Sequence, residues 1–173
     1  MTKKKQHKQP IKQLSPYEYI KTKARTFPIS KCYINSDWIE MAKANIVIAR
    51  QKPSGNFILG VYCLEFLGKG LVIARAFTNM TQVNIDEFLE KMAPKKLEVN
   101  MVVEIDYALA HNIIYGVVAL ARKKRYKPDA EFECSKYILE EDDGKIEKID
   151  IEFENHPMRI EYELENERLK NIV

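Results

Sequence analysis

Three runs rich in branched and aromatic residues stand almost end to end in this chain: 43–51 (KANIVIARQ), 57–67 (FILGVYCLEFL) and 71–77 (LVIARAF). Gly55-Asn56 closes the first gap and Gly68-Lys69-Gly70 the second. Glycine and asparagine take the positive φ of tight turns at little steric cost. Extended runs joined by turns this short read as neighbouring antiparallel strands. A fourth run, 29–35, follows Pro28 and has the same strand-like character. The remaining segments must pack on this meander.

Those segments begin as helices. Ser15-Pro16 reads as the N-cap and first position of a helix over 16–25, with Tyr17, Ile20 and Ala24 on a narrow apolar face. Asn84 reads as the cap of a compact helix over 84–93, with acids in its first turn and Pro94 beyond its end. Asp106 reads as the cap of the longest helix, 107–124. There Tyr107, Ala110, Ile114, Val117 and Ala121 form one stripe, widened by His111 and Val118.

Further on the period changes. Ile149, Ile151 and Phe153 alternate with Lys148, Asp150 and Glu152. Met158, Ile160, Tyr162 and Leu164 alternate in the same way with Arg159, Glu161, Glu163 and Glu165. Both stretches predict antiparallel strands with one face buried and one acidic face in water. Asp129, Glu131 and Glu133 have the spacing of a strand face as well. The expected fold is α+β, with antiparallel β-meanders packed against one long and two short helices. Residues 1–14 are expected to form a flexible basic tail, and 15–173 a single α+β domain.

Composition excludes several classes. A chain of 173 residues buries enough surface to fold without a metal or disulfide. No apolar run approaches the ~20 residues of a membrane span. The first 16 residues are charged with no apolar stretch behind them, unlike a secretory signal. Cys32, Cys63 and Cys134 are far apart and odd in number, which points to free thiols in a reducing, cytoplasmic setting. The net charge of +3 hides a strong polarity. Residues 1–25 carry eight Lys or Arg against Glu18 alone, whereas 129–173 carry 15 Asp or Glu against six Lys or Arg. Such polarity steers charged partners or draws the two ends of the molecule together.

Motifs for small-molecule chemistry are weak. Gly68-Lys69-Gly70 lacks the spacing of a nucleotide loop and reads as a turn. His111 is the one histidine inside a predicted element, with Tyr115 one turn later. Asp106 lies about 140° around the helix from it, and no nucleophile motif is present. His111 is therefore read as a packing residue, and no catalytic residue is assigned. Around Gly144, EEDDGKIEKID puts Leu139 at the first ligand position of a calcium loop and Asp150 where a bidentate glutamate belongs. That is a turn with solvated acids. No metal or other cofactor is expected.

The stretch DYALAHNIIYGVVALARKKRYKPDAEF, 106–132, carries Gly116-Val117, then Tyr126, Pro128 and Asp129. It resembles a segment of uncharacterised bacterial proteins, a resemblance that implies a bacterial cytoplasmic protein and no particular activity.

Two basic elements carry the functional expectation. Lys3, Lys4, Lys5 and Lys8 form one in the tail. Arg122, Lys123, Lys124, Arg125 and Lys127 form the other, with Tyr126 among them. Cations neutralise phosphates and release counterions, while an aromatic ring stacks on an exposed base. The expected function is non-enzymatic binding of RNA or a ribonucleoprotein through these ten residues. One rival is a protein-interaction module whose acidic C-terminal sheet meets a basic partner. Another is a small enzyme with a pocket beside His111 and Tyr115.

Overall fold

The computed structural model describes residues 14–92 and 102–153. The first element is started by a reciprocal cap. Ser15 Oγ accepts the Glu18 N–H at 3.2 Å, and the Glu18 carboxylate accepts the Ser15 N–H at 3.0 Å. With Pro16 at its first position this launches α1, Pro16–Lys23. A 3-10 turn, Ala24–Thr26, leads into β1, Ile29–Asn35. Then follow β2 (Lys43–Gln51), β3 (Phe57–Glu65), β4 (Gly70–Met80), α2 (Gln82–Met92), β5 (Val102–Glu104), α3 (Tyr107–Lys123) and α4 (Phe132–Ser135).

The strands form one sheet in the order β4-β3-β2-β1-β5, with every neighbouring pair antiparallel. The meander expected from the short turns is what forms, and the α+β class holds. Ile46 lies opposite Ile34 on one side and Tyr62 on the other, so the pleat sends the same residues of all three strands to one face. That face, with Ile34, Ile46, Ile48, Ile58 and Leu64, packs against Ala110, Ile113, Ile114 and Val117 of α3. The opposite face puts Val47, Ala49, Phe57 and Leu59 against Ile85 of α2. Helices on both faces explain why β2 and β3 are apolar almost throughout.

Gly70 does more than turn the chain. Its φ is +76°, and a methyl group there would overlap that of Ala121, so the glycine lets β4 close up on α3.

Three local expectations are corrected. Asn84 does not cap α2: Thr81 does, its Oγ1 accepting the Asn84 N–H at 3.2 Å while Asn84 Oδ1 accepts the Thr81 N–H at 3.1 Å. Asparagine fills the reciprocal place three residues on, where glutamate or glutamine is usual. Asp129, Glu131 and Glu133 do not share a strand, because 129–131 turn and α4 follows at once. Residues 146–153 are not a strand: the chain bends at Ile146 and runs on without regular structure to Phe153, whose N–H donates to Ile151 O at 2.9 Å. They lie along α3 instead: Asn112 Nδ2 donates to Glu147 O at 2.8 Å, and Ile149 N–H donates to Asn112 Oδ1 at 3.3 Å. Phe153 fits against Gly116, where its ring edge would lie 2.7 Å from any Cβ. The alternation correctly separated a half-buried side from an exposed one, but the surface covering it is a helix. The second acidic stretch, 158–165, and the tail lysines lie outside the described residues.

Candidate nucleic-acid interface

α3 ends in a tight left-handed turn. Arg125 N–H donates to Arg122 O at 2.9 Å and Tyr126 N–H to Ala121 O at 3.0 Å, the bond pair of a Schellman motif. The motif needs one residue in the left-handed region, usually glycine; here it is Arg125, with φ +66°. Cations in the last turn complement the negative end of the helix dipole by about 0.3–1 kcal/mol. All six residues Arg122, Lys123, Lys124, Arg125, Tyr126 and Lys127 are exposed, Tyr126 at 47%. The structure thus keeps this predicted group together on one cap. Lys3, Lys4, Lys5 and Lys8 lie outside the described residues.

The surroundings give the cap a direction. Beyond it, Asp129 N–H donates to Leu71 O at 3.0 Å, tying the chain to the β4 edge. There Arg75 lies 3.6 Å from Asp129 and 3.5 Å from Glu131. On a second side, a groove of about 410 Å³ holds Asp150 and Glu152 together with Lys123. These carboxylates repel a polyanion. Arg122 looks elsewhere. It lies two turns beyond Tyr115, on the line that Tyr107, His111 and Tyr115 draw along α3. Sequence reasoning missed Lys69. It is exposed in the β3–β4 turn, which Gly70 brings onto the end of α3 through Ala121 and Val117. The glycine beside it was the one available signal.

The line of aromatic residues serves another purpose. His111 is buried, with its ring 5.7 Å from that of Tyr107 and 4.6 Å from that of Tyr115. His111 Nε2 and Tyr115 OH each lie 3.3 Å from the backbone oxygen of Glu140. A carbonyl only accepts, so His111 carries a proton on Nε2 and donates it there. Tyr107 OH accepts the Glu140 N–H at 2.6 Å. The Glu140 carboxylate accepts from Arg50 at 2.6 Å. Arg50 is 1% exposed and also donates to Phe27 O and Ile138 O, each at 2.6 Å.

These bonds fasten residues 138–141 to the body of the protein. Burial lowers the His111 pKa and raises that of Tyr115. The neighbouring cavity, of about 360 Å³, is lined by Arg25, Glu140, Glu141, Asp143, Lys145 and Ile146. Its charges are paired, Arg25 with Glu141 and Lys145 with Asp143. His111 and Tyr115 therefore converge on a backbone carbonyl, an arrangement for holding a chain segment in place.

Among the described residues no three His, Cys, Asp or Glu gather as a metal would require. No helix among them is long and apolar enough to cross a membrane. Compared with family models, curated proteins and solved structures, the chain finds no match.

Proposed function

We propose that this protein binds RNA, or an RNA–protein particle, through the cap Arg122–Lys127 with the tail lysines Lys3, Lys4, Lys5 and Lys8 as a second, sequence-local source of charge. The carrying observation is Arg125. A non-glycine residue in the left-handed region costs roughly 1–2 kcal/mol, and such strain is concentrated at sites that use it. Glycine would relieve the strain and remove a cation. Keeping arginine there favours charge display over local stability, and the exposed Tyr126 beside it adds a surface on which a base stacks. Cations alone at a helix C-terminus serve the dipole; they do not call for this one.

The test is Arg122→Gln, Lys123→Gln, Lys124→Gln and Arg125→Gln combined, since glutamine retains helix propensity without charge. The variant is expected to fold normally, to purify with less nucleic acid by its 260/280 nm absorbance ratio, and to bind mixed RNA with a shallower salt dependence. Each lost phosphate contact flattens the slope of log K against log salt by about 0.7 for single strands. Equal nucleic-acid content and an equal slope in both proteins would return the cap to a purely structural role.

A further inference from the structure

A second cluster of cations and rings has no counterpart in the linear sequence, because its members come from α1 and from the exit of α4. Lys21 Nζ and Lys136 Nζ each lie 5.7 Å from the centre of the Tyr137 ring, and the Arg25 guanidinium lies 5.5 Å from it. Pairs of this kind occur about once per 70–80 residues, so three on one ring is a concentration. Tyr17, 45% exposed, and Lys21 stand four residues apart on one side of α1, and Arg25 follows by another four in the 3-10 turn beyond it. Tyr137 itself is half-buried and braced by the core.

This cluster and the α3 cap approach each other. Arg25 Nε donates to Leu139 O at 2.8 Å, next to the Glu140 oxygen that the Tyr115 hydroxyl meets at 3.3 Å. Arg122 follows Tyr115 by about 10 Å along the helix. The result is a track of cations interspersed with tyrosines: Tyr126, Arg122, Arg25, Tyr137 with Lys21 and Lys136, and Tyr17.

We propose that this track is the path of a single strand of RNA, with the Tyr137 cluster as a second contact beyond the cap. The inference rests on the RNA reading above and names its substrate class. Phosphates match the cations, and the tyrosine rings match unpaired bases, whose faces a duplex hides within its own stack. Two of the track's cations are paired with carboxylates, Arg25 with Glu141 and Lys136 with Glu133. The carboxylate side chains are 68% and 69% exposed, against 28% for Arg25 and 34% for Lys136. Carboxylates this open to solvent add little to such pairs, so phosphate can take their place.

The experiment uses the full chain and a fluorescent 20-nucleotide oligouridylate, with a duplex RNA of the same length and a polyglutamate competitor. Lys21→Gln with Lys136→Gln is expected to weaken oligouridylate binding several-fold and to flatten the salt slope by about 1.4, two contacts' worth. Tyr137→Leu is expected to weaken binding while Tyr137→Phe does not. Thermal melts check each fold, and if Tyr137→Leu fails to fold the lysine pair decides alone. Unchanged affinity and slope in the lysine pair, with binding lost in the four-glutamine cap variant, overturns the second contact and leaves the proposed function standing. No binding of either RNA by the wild type removes both. Duplex bound as tightly as the single strand overturns the single-strand class. Displacement of the RNA by polyglutamate with loss of that competition in the lysine pair makes the partner an acidic peptide and overturns the proposal.

Discussion

Arg125 shows how a residue can be visible in a sequence and its conformation invisible. The run RKKRYK is plain to read, but nothing in it marks which member turns left-handed, because the usual signal is a glycine and there is none. The structure separates two properties of this side chain, its charge and its backbone geometry. Arg125→Gly relieves the second and removes the first. It is expected to raise unfolding stability by about 0.5–1 kcal/mol, the strain of 1–2 kcal/mol less the extra entropy of an unfolded glycine. Urea denaturation checks the gain, and RNA affinity falls in the same variant if the cap binds as proposed. A loss of stability would mean that the Arg125 side chain holds contacts stronger than its strain.

The individual elements were legible to different degrees. β1 and β2 fall where strand-like apolar runs and short turns placed them, and α3 begins and ends within a residue of its predicted bounds. Their signals are local composition and periodicity, which a sequence displays directly. Residues 146–153 displayed a period of two just as clearly, yet period reports only that one side is buried, never what buries it. The six basic residues of the cap were equally legible. The Tyr137 cluster was not, because Lys21 and Tyr137 are brought together only by the docking of α1 beside α4.

That docking depends on the 138–141 fastening, and its two arginines should differ. Arg50→Met leaves the buried Ile138 carbonyl, the part-buried Phe27 carbonyl and a carboxylate without their donor and is expected to cost about 3 kcal/mol. Arg25→Met removes a pair with the exposed Glu141, one bond to Leu139 O and a long one to Lys136 O, and is expected to cost about 1–2 kcal/mol by the same urea measurement. His111 adds a pH dependence. Its folded-state pKa is lowered from 6.5 because burial disfavours the imidazolium. The unfolded chain therefore takes up a proton first as the pH falls. The contribution is whole above pH 6.5 and is lost below it, toward the lowered folded value. His111→Gln is expected to remove this part of the slope, as urea midpoints at pH 7.5, 6.5 and 5.5 will show. Identical slopes in the two proteins would assign the acid sensitivity to other groups.

For the whole molecule the decisive arrangement is a sheet covered on both faces, with β1 between β2 and β5. Cys32 on β1 is buried, and its thiol is pushed up to about 12, by burial first and then by the Glu104 carboxylate. At pH 8 only about one native Cys32 in 10⁴ is thiolate, the reactive form. Cys63 and Cys134 are only partly buried, and their thiols are raised as well, again chiefly by burial. Iodoacetamide is expected to reach these two in the native protein and Cys32 only as the sheet opens. Mass spectrometry of the labelled peptides over a denaturant series checks this. Cys32 modified as fast as Cys134 in buffer would mean that β1 opens far more often than a strand paired on both sides should.

The buried guanidinium also has a history within each molecule's synthesis. Arg50 takes its place in β2, yet the Ile138 carbonyl it serves is 88 residues further along the chain. At about 5–20 residues per second, the ribosome delivers that carbonyl on the order of 5–20 seconds later. Throughout that interval the meander has a charge where its core will be, and it can fold around that charge only provisionally. The nascent protein is therefore a half-closed object until its last third emerges, and a truncated or stalled chain ending before residue 138 is a natural client for chaperones.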